Sequence, residues 1–226
     1  MKTHKHIGFT TSLPIEVILA AGHVPVDLNN RFITTDAAAK ISQAELNGFP
    51  RTICSWIKGN YITARTSGLD EVIGIIQGDC SNTHSIMDML KEDGMPVWHF
   101  SFPPEKNYQA LDKEIQRLEE HYQVLRYQSL AQKKRLDTIR RRLVYLDELT
   151  WKHRLVSGAE NHSWLISSSD FNEDPDRYEE DLEKFISVAE NRAPLPSRLR
   201  LAYLGVPPVY NDLYNVVSSL GGDILF

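Results

Sequence analysis

The sequence predicts an α/β protein: a Rossmann-like parallel sheet flanked by helices, a helical middle region and the start of a second α/β domain. Three observations carry this expectation. Short runs such as VIGII (Val72 to Ile76) are continuously apolar and β-branched, as strands buried on both faces are. These runs alternate with stretches of helical periodicity through the first half of the chain, the pattern of βαβ units. Finally, RLAYLGVPPVYNDLYNVVSSLGGDILF near the end repeats the plan of HIGFTTSLPIEVILAAGHVPVDL near the start: strand, proline-bearing turn, helix, glycine stop, second strand.

The elements follow in order. HIGFTT reads as a strand and SLPIEVILAAG as a helix, with Ser12 as N-cap, Pro14 in the first turn and Gly22 as the stop. VPVDLN is a second strand. TDAAAKISQAELNG is a helix capped by Thr35 or Asp36 and ended by Gly48. PRTICSWIKGNYITARTSG leads into a further helical stretch, and EVIGIIQ is a strand. After Cys80, the spacing of Ile86, Met87, Met89 and Leu90 is helical, with Ser81, Asn82 or Thr83 available as cap. PVWHFSF is another strand, and FPPEKN breaks the pattern.

From Tyr108 to about Lys152 the periodicity is wholly helical and predicts two long helices; a polar loop, SSSDFNEDPDR, then precedes the helix YEEDLEKFISVAENR. The expected domains are residues 1–105 (first α/β domain), 106–196 (helical region) and 197–226 (an unfinished second α/β domain). A strand–helix–strand unit of that size buries no core of its own. The expectation is that it packs on the first domain or on a partner, or that the chain is a truncated two-domain protein.

Composition narrows the class. The chain is 42% apolar and 24% charged with a net charge of −5, which describes a soluble globular protein and argues against a nucleic-acid partner. The basic run KKRLDTIRRR (Lys133 to Arg142) shares its segment with Leu136, Ile139 and Leu143 at helical spacing, so its charges read as the wet face of a helix. Pro14 and Glu16 interrupt the apolar run near the N-terminus, and no stretch reaches the length of a membrane span. A cytoplasmic location, without a membrane partner, is expected. The acidic string Asp170, Glu173, Asp174 and Asp176 lacks the glycine and final glutamate of a calcium loop, and reads as caps and solvated surface.

Two cysteines are too few for a disulfide scaffold, and fewer than the four ligands that closed zinc and iron–sulfur sites usually have. Cys80 nonetheless falls where the VIGII strand ends and a helix begins. That is the edge of an open α/β sheet where ligands bind, and a helix N-terminus favours an anionic thiolate. The alternative is a small buried filler. Cys54 likewise follows a loop expected to end on the same edge, and two converging thiols suit a soft metal, against two structural cysteines. Trp56 and Lys58, just after Cys54, are candidates to line a substrate pocket, Lys58 near a phosphate or carboxylate. His84 is a candidate near a sulfide or substrate oxygen. In the alternative, Trp56 packs, Lys58 is solvated and His84 packs or caps. Glu16 is a candidate proton acceptor, although an interaction with the helix dipole is the favoured reading. His162, in GAENHSWL, is read as a hydrogen-bonded structural residue rather than a site residue. No catalytic residue beyond the candidates Glu16 and His84 emerges.

The segments TSLPIEVILAAGHVPVDL, FPRTICSWIKG, VIGIIQGDCSNTH and LDELTWKHRLVSGAENHSWL together resemble the D-component family of the 2-hydroxyacyl-CoA dehydratases, whose wider relatives include benzoyl-CoA reductase subunits. The likeness covers nearly the whole chain. It implies two α/β domains joined through a helical region, with a 4Fe–4S cluster held between them by three cysteines. Two of these correspond to Cys54 and Cys80; the third has no counterpart in this chain. The resemblance further implies a lyase acting on an acyl-CoA thioester by one-electron, ketyl-radical chemistry, together with a second dehydratase subunit, an ATP-dependent iron–sulfur activator and a homo- or hetero-oligomeric state. A rival expectation is a non-catalytic or truncated paralogue that keeps the fold as a structural or assembly partner without a working cluster.

Overall fold

The computed structural model describes residues 4–196, 199–209 and 212–225. The expected boundary at residue 197, and Phe226, lie outside the described residues. The chain divides into two compact units between Lys134 and Arg135, a point inside one long helix.

The first unit runs β1 (His6–Phe9), α1 (Ile15–Ala20), β2 (Val24–Asp27), α2 (Leu28–Ile33), α3 (Ala37–Leu46), α4 (Ser55–Thr66), β3 (Glu71–Gln77), α5 (Asn82–Glu92), β4 (Val97–Ser101), α6 (Tyr108–His121) and the start of α7 (Arg126–Trp151). Its four strands form one sheet in the order β2-β1-β3-β4, with all three pairings parallel, as expected. From β1 the chain steps to one side for β2, then crosses back for β3 and β4. The direction of winding therefore reverses between β1 and β3, and in open α/β sheets that switch point opens a crevice at the carboxyl ends of the strands.

The β-branched run explains the central position of β3. Val72, Ile73 and Ile75 are fully buried, each contributing about 1.5–3 kcal/mol of apolar burial. Side chains alternate across a strand, so Val72 and Gly74 face one layer and Ile73 and Ile75 the other. The Val72 face joins a core with Ile57, Tyr61 and Ile62 of α4 and with Ile86, Met87 and Leu90 of α5. Two glycines let these helices approach closely. A Cβ at Gly74 would lie 2.5 Å from Met87, and one at Gly59 would lie 2.3 Å from the Phe32 ring of α2.

Several helix ends differ from expectation. The Leu13 carbonyl takes the Ile15 N–H in a tight turn (2.8 Å), so α1 starts after Pro14, which occupies the N-cap position. Ser12 therefore does not cap it, and Pro14 lies before the first turn rather than in it. The segment after β2, read as the end of a strand, turns at once into α2, because the Asp27 carboxylate accepts the Asn29 N–H (2.8 Å). Asp36 caps α3 through Ala39 N (3.0 Å), and Gly48, at φ +100°, stands just past its end. Ser81 occupies the N-cap position of α5 without a side-chain cap bond.

The second unit holds the remainder of α7, then α8 (Gly158–Ile166), α9 (Pro175–Glu190), β5 (Leu199–Leu201), α10 (Leu213–Ser219) and β6 (Gly222–Ile224). β5 and β6 pair in parallel around α10, so the strand–helix–strand plan read from the C-terminal sequence is present. The basic run lies on α7. Arg135 pairs with Asp176 and Arg142 with Glu183 (2.7 Å) on α9, while Arg140 pairs with Asp137 (2.9 Å) on its own helix. The acidic loop supplies caps: Asp174 accepts from Arg177 N (3.1 Å) with Pro175 following it, and Asp170 accepts from Asn172 N (3.0 Å). Among the described residues no helix is long and apolar enough to cross a membrane.

The close α2–α4 contact yields a stability prediction. Gly59→Ala forces its new methyl against an aromatic ring that cannot flex away, and is expected to cost about 1–3 kcal/mol. Urea denaturation followed by circular dichroism checks this, with an unchanged m-value.

Candidate functional site

The carboxyl edge of the first unit's sheet gathers most of the residues singled out above. β3 ends in a register shift between Ile75 and Gln77, and the turn beyond it passes through Gly78 at φ +93°, where a Cβ would also lie 2.8 Å from Phe102. Only glycine suits that position. The turn presents Asp79 and Cys80, and the Cys80 carbonyl accepts the Thr83 N–H (3.0 Å) as α5 begins. His84, exposed on the first turn of α5, donates its Nε2–H to the Ile76 carbonyl (3.0 Å) and so fastens the helix start to the end of β3.

Cys54 occupies the N-cap position of α4. The course of α4 can be followed from its partners. Tyr61 Oη donates to Asp93 Oδ2 (2.8 Å), and Arg65 Nε lies 3.2 Å from the same oxygen, just past the end of α5. Both helices thus finish together, beside the amino edge where β3 and β4 begin. They start together at the carboxyl edge, one behind Cys54 and the other behind Cys80. Both thiols are free and exposed.

The pocket candidates divide. Trp56 is half-buried and meets the edge of Phe32 at a centroid distance of 5.5 Å. Lys58 is buried at 2% exposure. Its ammonium donates to Glu45 Oε1 (2.7 Å) and to the Arg51 carbonyl (3.0 Å), tying α4 to α3 and to the loop leading into Cys54. That hydrogen bond from Lys58 holds the Glu45 carboxyl below its ordinary value of 4.5. Glu16 is half-buried in the first turn of α1, which follows β1 on the same edge.

Sequence reasoning missed a polar seam beneath this edge, at the switch point. Thr10, buried at the end of β1, donates its N–H to the Ile73 carbonyl (3.2 Å) and accepts the Ile75 N–H on Oγ1 (3.0 Å). Its carbonyl accepts from Asn29 Nδ2 (2.8 Å), and Asn29 Oδ1 accepts from Asn60 Nδ2 (2.9 Å). Asn60 is 4% exposed, and its Oδ1 has no hydrogen-bond partner among the described residues. The one available signal was the polar Thr10 and Asn29 standing at the ends of apolar strands.

An iron–sulfur cube usually takes four thiolates. The donor type at this edge fits such a group, since both thiols are free, exposed and soft. The donor number does not complete it: the chain has two cysteines, and no group of three or more His, Cys, Asp and Glu side chains able to hold a metal ion occurs among the described residues.

The fold defines a doubly wound α/β protein with an exposed, free cysteine just ahead of each of two neighbouring helices, α4 and α5. The sequence model of the family described as 2-hydroxyglutaryl-CoA dehydratase, D-component, matches residues 10–226. The chain belongs to that family, and is a component of the 2-hydroxyacyl-CoA dehydratase type. A search of curated proteins found no match to the chain.

The Lys58–Glu45 pair predicts a pH dependence. A carboxyl lowered on folding stabilises the fold above its ordinary value of 4.5, and that contribution is lost as pH falls through the lowered value. Glu45→Gln removes the titrating group. Its stability, measured by thermal unfolding from pH 6 down to pH 3 (about the range a carboxylate titrates), is expected to fall less steeply with acid than that of the parent.

Proposed function

We propose that this dehydratase component holds part of a 4Fe–4S cluster through Cys54 and Cys80, with the remaining ligation supplied by a partner chain, and acts with that partner on an acyl-CoA thioester. The observation that supports the reading is that α4 and α5 run to the same end of the sheet, at Asp93, and each begins just behind an exposed, free cysteine. When bound, such a cluster supplies one-electron chemistry. An ATP-dependent iron–sulfur activator is the matching electron source.

The chain's own residues have more modest tasks. Cys54 and Cys80 are the ligands. His84 holds the turn that carries Cys80, through the Ile76 carbonyl. Lys58 holds the approach to Cys54 through the Arg51 carbonyl, so its role is positional. Trp56, two residues after Cys54 and packed on Phe32, is the candidate pocket wall, and Glu16, on the same edge, is the candidate proton acceptor. The lyase assignment and a cytoplasmic setting belong to this reading.

The count of two thiols favours a second reading, in which the chain keeps the fold as an assembly partner and carries no working cluster.

Iron and acid-labile sulfide per chain, after strictly anaerobic purification, separate the two. The first reading expects about four of each per cluster, lost in both Cys54→Ser and Cys80→Ser while circular dichroism is unchanged. Half that content per chain in a dimer marks a cluster shared between two copies and also supports it. No iron in the parent protein, alone or with its dehydratase partner, leaves the non-catalytic reading.

A further inference from the structure

The second unit contains a cavity of about 200 Å³ that the cysteine edge does not explain. One stripe of α8 forms a wall of it, through Gly158, Asn161, His162 and Leu165. The helix is firmly set. Ser157 and Glu160 form a reciprocal capping box, and a Cβ at Gly158 would lie 1.7 Å from the Ile224 carbonyl of β6, so the helix presses directly on that strand. Tyr214 of α10 and Tyr203, in the loop after β5, complete the aromatic part of the lining.

Two lining residues carry polar atoms that are buried and have no partner among the described residues: Asn161 Oδ1 and His162 Nε2. The amide is not free to turn. Asn161 Nδ2 donates to Asp147 Oδ1 (2.8 Å), which leaves Oδ1 as the atom in need of a donor. Asn161 is 6% exposed, so a ligand that ignored this oxygen would leave a costly unpaired acceptor. Burial pushes the His162 imidazole below its ordinary value, so it is neutral near pH 7 and offers Nε2 as donor or acceptor. Its ring lies against Tyr214 at 4.8 Å with the planes 31° apart.

This chemistry excludes more than it admits. Among the described residues no Lys or Arg lines the cavity, and its one charged group is the acidic Asp147, so a phosphate or carboxylate finds no counter-charge there. A purely apolar guest leaves both polar atoms unpaired. Pockets for drug-sized ligands run to about 300–1,000 Å³, so a cavity of this size has room for one ring system rather than a whole nucleotide. A flat, neutral heteroaromatic ring with an N–H donor beside a ring nitrogen meets all of these conditions, and the aromatic lining favours it. The donor meets Asn161 Oδ1, the ring nitrogen accepts from His162 Nε2–H, and the faces lie along the tyrosines.

We propose that the cavity between α8, α10 and the loop after β5 binds an adenine-type base, with Asn161 and His162 reading its hydrogen-bonding edge. That the base belongs to the coenzyme A of the substrate rests on the dehydratase reading; the base site itself does not.

Isothermal titration of the full chain with adenosine, coenzyme A, pantetheine and a simple alkylammonium salt tests this. Adenosine and coenzyme A bind and compete; pantetheine and the ammonium salt do not displace adenosine. His162→Phe, which keeps the ring shape and removes Nε2, weakens adenosine by about tenfold, the size of one lost hydrogen bond. Leu165→Trp, at a partly exposed lining position, fills the cavity and abolishes adenosine binding with circular dichroism unchanged. Absence of adenosine binding in the parent, equal binding in Leu165→Trp, or displacement by the ammonium salt overturns the proposal. Iron content separates the two claims. A chain that loads a cluster but ignores adenosine refutes the base site alone, and one that binds adenosine but never holds iron refutes the cluster reading alone.

Discussion

A parallel strand pair cannot be closed by a tight turn; the chain must cross the whole sheet before the next strand begins. Every helix that leads into a parallel strand therefore starts at the carboxyl edge, and every helix that follows such a strand starts there too. Much of the functional geometry of the first unit descends from this constraint. α4 leads into β3 and α5 leaves it, so their first residues share one edge although Cys54 and Cys80 are separated in sequence by a helix and a strand. The pairing of Tyr61 and Arg65 with Asp93 fixes the far ends of the same two helices.

The two edges of the sheet use their polar groups differently. At the amino edge, Glu71 of β3 accepts from both His121 Nε2 and Tyr122 Oη at 2.8 Å, and His121 stacks on Trp98 of β4. Burial, reinforced by the Glu71 carboxylate, pushes the Tyr122 phenol far above its ordinary range. These groups are all spent on docking the end of α6 to the sheet. At the carboxyl edge the hydrogen bonds lie underneath, in the Thr10–Asn29–Asn60 seam and in the His84–Ile76 clasp. The thiols above them remain exposed.

Much of this was legible in the residues. β3 announced itself through Val72, Ile73 and Ile75, and the end of that run with the periodicity of α5 located Cys80 at a strand-to-helix turn. Helix ends were harder, because they depend on local competition: Leu13 captures the Ile15 N–H ahead of any cap from Ser12, and Asp27 opens a helix where the pattern continued a strand. Lys58, a candidate pocket residue with a solvated side chain as the alternative, is buried instead: Glu45, thirteen positions earlier, claims its ammonium, and periodicity cannot report a contact of that kind. His162 was read as hydrogen-bonded, yet its Nε2 has no partner among the described residues. Its ring meets Tyr214 instead, which arrives from a distant segment and leaves no mark near residue 162.

The central claim is that the sheet edge brings the thiols of Cys54 and Cys80 within reach of one small inorganic group. Treating the native, reduced protein with a short bifunctional thiol reagent, whose span matches an iron–sulfur cube, and mapping the products by peptide mass spectrometry tests it directly. The account predicts an intramolecular Cys54–Cys80 cross-link in the folded protein that disappears in urea. Two separately modified cysteines, with no cross-link in the folded protein, would contradict it.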